Sequence, residues 1–215
     1  MELSGAIRPT LMLVTDRRRS RRPIVEAVHA AVVGGVDVIQ IREKDLPPLE
    51  RLRLAADIAE VVADRAAIVI NSDIAAAIEL GLGVHLQETD PSPDATTRSR
   101  LRPGVLVGRS IHSIDLGLLG HCDYVLFGHV FATVSKPDRP PRGLSNLQRA
   151  VAASSYPVWA IGGVTAANAA QALYAGATGI AVIGAILDAA DPEAATRSIR
   201  VAMDDGVDHI ARRTR

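Results

Sequence analysis

Tyr174 to Val182 reads YAGATGIAV. A helix-like stretch stops at Gly176, a few small residues follow, and an almost wholly apolar run begins. The same join appears twice more, in GGVDVIQI (Gly34 to Ile41) and ELGLGVHL (Glu79 to Leu86). Each places Gly or Ala just ahead of a strand. The echo points to repeated βα units rather than two separate domains. Working outward, eight such runs are found: LMLVT from Leu11, VDVIQI from Val36, AAIVIN from Ala66, GVHL from Gly83, VLVGRS from Val105, DYVLFG from Asp123, PVWAIG from Pro157 and GIAVIG from Gly179. Runs that are apolar almost throughout suit strands covered on both faces, as in parallel sheets. Between them lie segments of helical spacing, such as Leu49 to Ala63 after the turn signal Pro47-Pro48, and Ala166 to Ala175 before Gly176. The expected fold is α/β, a single (β/α)8 TIM barrel over residues 1–215, with its core from about residue 10 to 203 and a frayed basic tail. A doubly wound open sheet is the runner-up, and the count of eight favours closure.

Composition bounds the function. The chain has 215 residues, 48% hydrophobic and 22% charged, and Lys+Arg and Asp+Glu are both 24. A net charge of zero argues against nucleic acid as a partner. The cluster Arg17 to Arg22 reads as solvated surface. Cys122, the one cysteine, can form no internal disulfide. The opening MELSGAIRPT lacks an apolar signal core, and no run approaches membrane-spanning length. The expectation is a cytoplasmic protein with no membrane partner. Barrels of this kind often form homodimers; no segment of the sequence identifies an interface.

In a barrel, chemistry sits just past the strand ends. Gln40, Arg42, Glu43 and Lys44 follow strand two, Asn71 strand three, Gln87, Glu88 and Asp90 strand four. Ser110 and His112 belong to strand five, Gly128 and His129 to strand six. Gly162, Gly163, Ile183 and Gly184 close strands seven and eight, where glycine loops commonly hold phosphate on backbone N–H groups. Strand alternation aims Arg42 and Lys44 the same way, as an anion anchor. His85 is expected to point into the barrel in a structural role. His112 and His129 lie on adjacent strand ends, and imidazole both takes and gives protons near neutrality. Thr133 to Gly143 is the longest irregular stretch, and such loops are often functional. No Cys/His spacing suggests zinc, and the carboxylates available for Mg²⁺ are few, so no metal and no cofactor is expected.

Together, QIREKD, INSD…GLGVHLQETD, GRSIHS, DYVLFGHVFATVSK and WAIGGVTAAN…GATGIAVIGAI resemble the thiamine phosphate synthase superfamily, from Leu13 to about Ile186. GRSIHS combined with YVLFGHVFAT most resembles the TenI branch of thiazole tautomerases. The synthase branch carries aspartate where this chain has Ser72, and usually Gly-Pro where it has Gly128-His129. Its Thr-x-Thr-Lys pattern is softened here to Thr133, Ser135 and Lys136. The resemblance therefore implies a metal-free isomerase that shifts a proton on a carboxylated thiazole phosphate. His129 would be the general acid/base, with His112 as relay. Arg42 and Lys44 would hold the carboxylate, and the backbone near Gly163 and Gly184 the phosphate. Asn71, Ser110, Thr133, Ser135 and Lys136 complete the expected substrate set. The alternatives are the synthase itself, which would use Mg²⁺ to join hydroxymethylpyrimidine pyrophosphate to thiazole phosphate, and a regulatory protein that binds the phosphates without chemistry.

Overall fold

The computed structural model describes residues 8–112 and 119–213. The opening MELSGAI, Ser113 at the end of GRSIHS, and Thr214 and Arg215 lie outside the described residues. Eight parallel strands close into a barrel in sequence order: β1 (Thr10–Val14), β2 (Val38–Ile41), β3 (Ala67–Asn71), β4 (Gly83–Leu86), β5 (Val107–Ile111), β6 (Tyr124–Gly128), β7 (Val158–Ile161) and β8 (Gly179–Val182). Pairing of β1 with β8, Leu11 opposite Ile180, completes the circle. The open-sheet alternative is thereby excluded. The helices are α1 (Ile24–Gly34), α2 (Pro48–Val62), α3 (Ile74–Leu80), α4 (Ala95–Arg100), α5 (Gly143–Ala153), α6 (Ala169–Tyr174), α7 (Gly184–Leu187) and α8 (Pro192–Arg213).

Strand alternation sorts the core into two layers. On β1, Met12 and Val14 turn inward, joining Val38, Val69, Tyr124, Leu126, Trp159 and Ala181 inside the barrel. Leu11 and Leu13 turn outward to meet the helices, beside Ile39, Ile58, Val125 and Ile180. Both faces of each strand are thus dry, which is why the sequence runs look uniformly apolar.

Caps set the helix ends. Asp73 accepts a hydrogen bond from the Ala76 amide at 3.0 Å, and Asp94 from that of Thr97 at 2.7 Å. Gly35 and Gly81 end α1 and α3 in the left-handed region. Thr214 and Arg215, the end of the tail expected to fray, lie outside the described residues, and α8 runs to Arg213. It is pinned by Arg200, which is buried and donates to the carbonyls of Pro9 (2.7 Å) and Gly35 (2.8 Å) and pairs with Asp37. This ties the last helix to the β1–β2 end of the barrel.

Candidate functional site

A cavity of about 1130 Å³ opens at the carboxyl ends of the strands. All thirteen residues expected from the sequence border it: Arg42, Lys44, Asn71, Ser110, His112, His129, Thr133, Ser135, Lys136, Gly162, Gly163, Ile183 and Gly184.

One wall is cationic. Arg42, Lys44 and Lys136 face the same space. Burial, then the Arg42 charge, lowers the Lys44 ammonium below the usual lysine range. Burial, then Arg139, Arg142 and Arg42, lowers that of Lys136. Cations that depress one another in a cavity make a site for a polyanion.

Beside them runs a hydrogen-bonded chain. Lys44 Nζ donates to Gln87 Oε1 (2.6 Å), Gln87 Nε2 to Ser72 Oγ (2.9 Å), and Ser72 Oγ to Asp90 Oδ2 (2.6 Å). Asn71 Nδ2 also donates to Ser72 Oγ (3.1 Å). The Gln87 backbone N–H also donates to Asp90 Oδ2 (2.7 Å), leaving Oδ1 with no partner among the described residues. No group of three or more His, Cys, Asp or Glu that could hold a metal occurs among the described residues. Mg²⁺ beside phosphates asks for less: one or two carboxylates, substrate oxygens and water. Asp90 follows the cavity-lining Gln87, Glu88 and Thr89, and its Oδ1 offers one such carboxylate oxygen.

The motif GRSIHS divides its labour. Arg109 faces outward and is buried, donating to the carbonyls of Pro91 (3.1 Å), Glu88 (3.0 Å) and Asp90 (2.7 Å). It staples the loop after β4 that carries Gln87, Glu88 and Asp90. Ser110 turns inward to the cavity. His112 binds Glu88 twice, through its amide (2.9 Å) and through Nδ1 (2.8 Å), with Nε2 3.5 Å from Lys136 Nζ. Burial raises the Glu88 carboxyl, but these His112 bonds outweigh it and hold the group below the usual range.

His129 has a different setting from the one expected. The residue is 6% exposed and Nε2 lies 3.1 Å from the Arg139 carbonyl. The neighbouring backbone is held too: the Arg142 amide donates to the His129 carbonyl (2.9 Å) and Arg142 Nε to that of Gly128 (3.0 Å). His129 thus anchors the loop from Thr133 to Arg142, which carries Lys136. Gly162 and Gly163 have positive φ, and a side chain at either would collide with His129 or with Phe131 and Ala132. These glycines let the β7 loop lie against the β6 loop, with Val130 and Phe131 donating to the Ile161 and Gly162 carbonyls at 2.9 Å.

Two further residues bear on the cavity beyond the expected substrate set. Gln40 is 2% exposed, lines the cavity, and its Nε2 has no hydrogen-bond partner among the described residues. Its signal was visible: a polar residue in a strand, two positions before Arg42 and therefore on the same face. Arg19 was assigned to a solvated cluster. It instead pairs with Asp188 and donates to Ser135 Oγ at 3.1 Å, at the cavity rim. Arg17 likewise pairs with Asp45 at 2.7 Å, and its amide donates to the buried Glu43. Partners so distant in sequence leave no local signal.

The thiamine monophosphate synthase family model matches residues 11–186. The chain is 39% identical to a thiamine-phosphate synthase of Roseiflexus castenholzii, over 89% of this chain and 87% of that one. It is 41% identical to that of Methanoculleus marisnigri, over 88% and 93%. A solved thiamine phosphate pyrophosphorylase from Pyrococcus furiosus superposes with TM-score 0.81 at 30% identity, covering 93% of this chain and 97% of that one. These findings correct the tautomerase expectation: relatives matching over nearly the whole length carry the synthase name. No helix among the described residues is long and apolar enough to cross a membrane. By its match over most of its length, the chain belongs to the thiamine monophosphate synthase family of enzymes.

Proposed function

We propose that the protein is a thiamine phosphate synthase, a transferase joining hydroxymethylpyrimidine pyrophosphate to thiazole phosphate. The observation carrying this reading is the convergence of Arg42, Lys44 and Lys136 on one wall of a cavity whose other walls include the Gly163 and Gly184 loops. A cavity of this size accommodates two small substrates side by side.

The thiazole nitrogen supplies the electron pair for the new C–N bond. The methylene C–O bond of the pyrimidine substrate breaks, and its pair leaves with pyrophosphate. Negative charge grows on the leaving oxygens, so cations held in place by the fold stabilise the transition state more than the ground state. Arg42, Lys44 and Lys136 fill that role, with Ser110 and Asn71 as neutral donors. Gln40 offers a buried amide N–H to a ring acceptor. Asp90, with Ser72 beside it, would hold Mg²⁺. When bound, that ion adds positive charge to the pyrophosphate. The Gly163 and Gly184 loops receive the thiazole phosphate. His129 and the His112–Glu88 pair keep Lys136 and its loop over the anion.

The direct test is incubation with hydroxymethylpyrimidine pyrophosphate, thiazole phosphate and Mg²⁺. Thiamine phosphate and pyrophosphate should form in equal amounts. Failure to form either product sinks the proposal.

A further inference from the structure

Inside the barrel, His85 on β4 reaches Tyr124 on β6, with β5 lying between them. Contact across an intervening strand is possible because β5 offers Gly108 at that level, opposite both His85 and Tyr124. A side chain at 108 would overlap the Tyr124 ring. The phenol therefore crosses Gly108, and its oxygen lies 3.0 Å from His85 Nδ1. Trp159 stacks on the other side of that ring, centroids 3.8 Å apart and planes 12° from parallel, and fixes its direction. On its far side, His85 Nε2 lies 2.9 Å from Oγ of Ser110.

Two proton arrangements suit these distances, and only one satisfies every buried donor. Tyr124 is fully buried, and its hydroxyl has no other partner among the described residues. Were Nδ1 protonated, both Nδ1 and the phenol would be donors facing each other's need, and the phenol hydrogen would have no acceptor. A buried unmade donor costs about 1–3 kcal/mol. With Tyr124 donating to Nδ1, the imidazole carries its hydrogen on Nε2 and donates to Ser110 Oγ. The ring stays neutral, because burial lowers its pKa to about 3. Ser110 then receives a hydrogen bond from behind and has its own hydrogen left for the cavity.

We propose that His85 is a positioning residue: in the Nε2-protonated form set by Tyr124, it orients the Ser110 hydroxyl as a hydrogen-bond donor to an oxygen anion in the cavity. Under the synthase reading, on which this choice of ligand rests, that anion is the departing pyrophosphate. The device uses no charge of its own. It converts a hydroxyl that could accept or donate into one that donates, which suits an atom gaining negative charge.

The first test needs no turnover. Ring-nitrogen NMR on the 15N-histidine-labelled protein, with His85 assigned by its loss in His85→Gln, should show Nδ1 bare and Nε2 protonated. The pattern should persist on acidification through the ordinary histidine range. An Nδ1-protonated or doubly protonated ring overturns the proposal, whatever reaction the protein catalyses. The second test is kinetic. Tyr124→Phe and His85→Leu should each lower kcat about tenfold, the worth of one oriented hydrogen bond, with KM changed by no more than about twofold. His85→Gln, whose amide can accept from Tyr124 and donate to Ser110, should recover most of that loss. Tyr124→Phe should add nothing on a Ser110→Ala background; additive losses overturn the coupling. If His85→Leu does not fold, the NMR pattern and the Tyr124→Phe cycle still decide. Absence of synthase activity in the unaltered protein refutes the synthase reading and leaves the ring-nitrogen result intact.

Discussion

The Ser72 hydroxyl donates to Oδ2 of Asp90 at 2.6 Å, from a backbone with φ of 56°. The left-handed region suits Asp about as readily as Ser. Ser72→Asp should therefore be accommodated, and it would set a second carboxylate beside the first. Under the synthase reading, the variant should bind Mg²⁺ with pyrophosphate roughly tenfold more tightly by calorimetry, since one more carboxylate charge faces the ion. Without the ion, the paired carboxylates should lower Tm. An unchanged Mg²⁺ affinity would show that the ion is held elsewhere.

Lys136 gives a pH signature. Its pKa is lowered in the folded protein by burial and then by Arg139, Arg142 and Arg42. A lysine depressed on folding releases protons, so its contribution to stability improves as pH rises toward the unfolded value of 10.5. Bound pyrophosphate does the reverse, favouring the charged ammonium. The Tm increase produced by pyrophosphate should shrink as pH rises from neutrality. In Lys136→Met that part of the pH dependence should vanish.

His129→Ala removes the ring that holds the Arg139 carbonyl and loosens the loop carrying Lys136. KM for the pyrophosphate substrate should rise about tenfold with a smaller change in kcat, as expected when a cation that binds the substrate loses its support. Hydrogen exchange should quicken at the Arg142 amide, which is bonded to the His129 carbonyl at 2.9 Å. A large fall in kcat at unchanged KM would restore direct chemistry to this histidine.

Gly108→Ala forces a methyl against the Tyr124 ring. Overpacking should destabilise the protein by about 1–3 kcal/mol. Trp159 is the single tryptophan and stacks on Tyr124, so its fluorescence and the near-UV circular dichroism report the displacement directly. Unchanged spectra would mean the ring has room the structure does not show.

Arg200→Met should lower stability by about 3 kcal/mol, because two carbonyls and the Asp37 carboxylate lose a buried donor together. Chemical denaturation measures it. The site is at the other end of the strands, so kcat at low temperature should be unaffected.

The barrel was legible because both-face burial writes itself into strand composition, and Tyr174 to Val182 repeats a join seen at Gly34 and Glu79. Strand ends were legible for the same reason, and they gathered Arg42, Asn71, Ser110 and Lys136 around one cavity. What stayed hidden was long-range pairing. Arg109 looked like part of a branch motif, yet its work is to hold three carbonyls of another loop. Arg19 looked like surface because Asp188 and Ser135 are far along the chain. The tautomerase reading leaned on GRSIHS combined with YVLFGHVFAT, and on Ser72 and His129 standing where the synthase branch has other residues. Relatives matching over most of the chain overturn that reading, and the contact of His129 with the Arg139 carbonyl, ten residues on, had no local pattern to announce it either.

The glycine at 108 also constrains how this barrel can drift. His85, Gly108 and Tyr124 lie level on three successive strands, Trp159 of the next strand stacks on the Tyr124 ring, and each depends on the size of its neighbour. Replacing the phenol with a small residue opens a hole at 108; filling 108 first expels the phenol. Neither path passes through a well-packed intermediate. Chains descended from a common ancestor should therefore inherit positions 85, 108 and 124 as a block, exchanging them together or not at all, while the rim residues around them change one at a time.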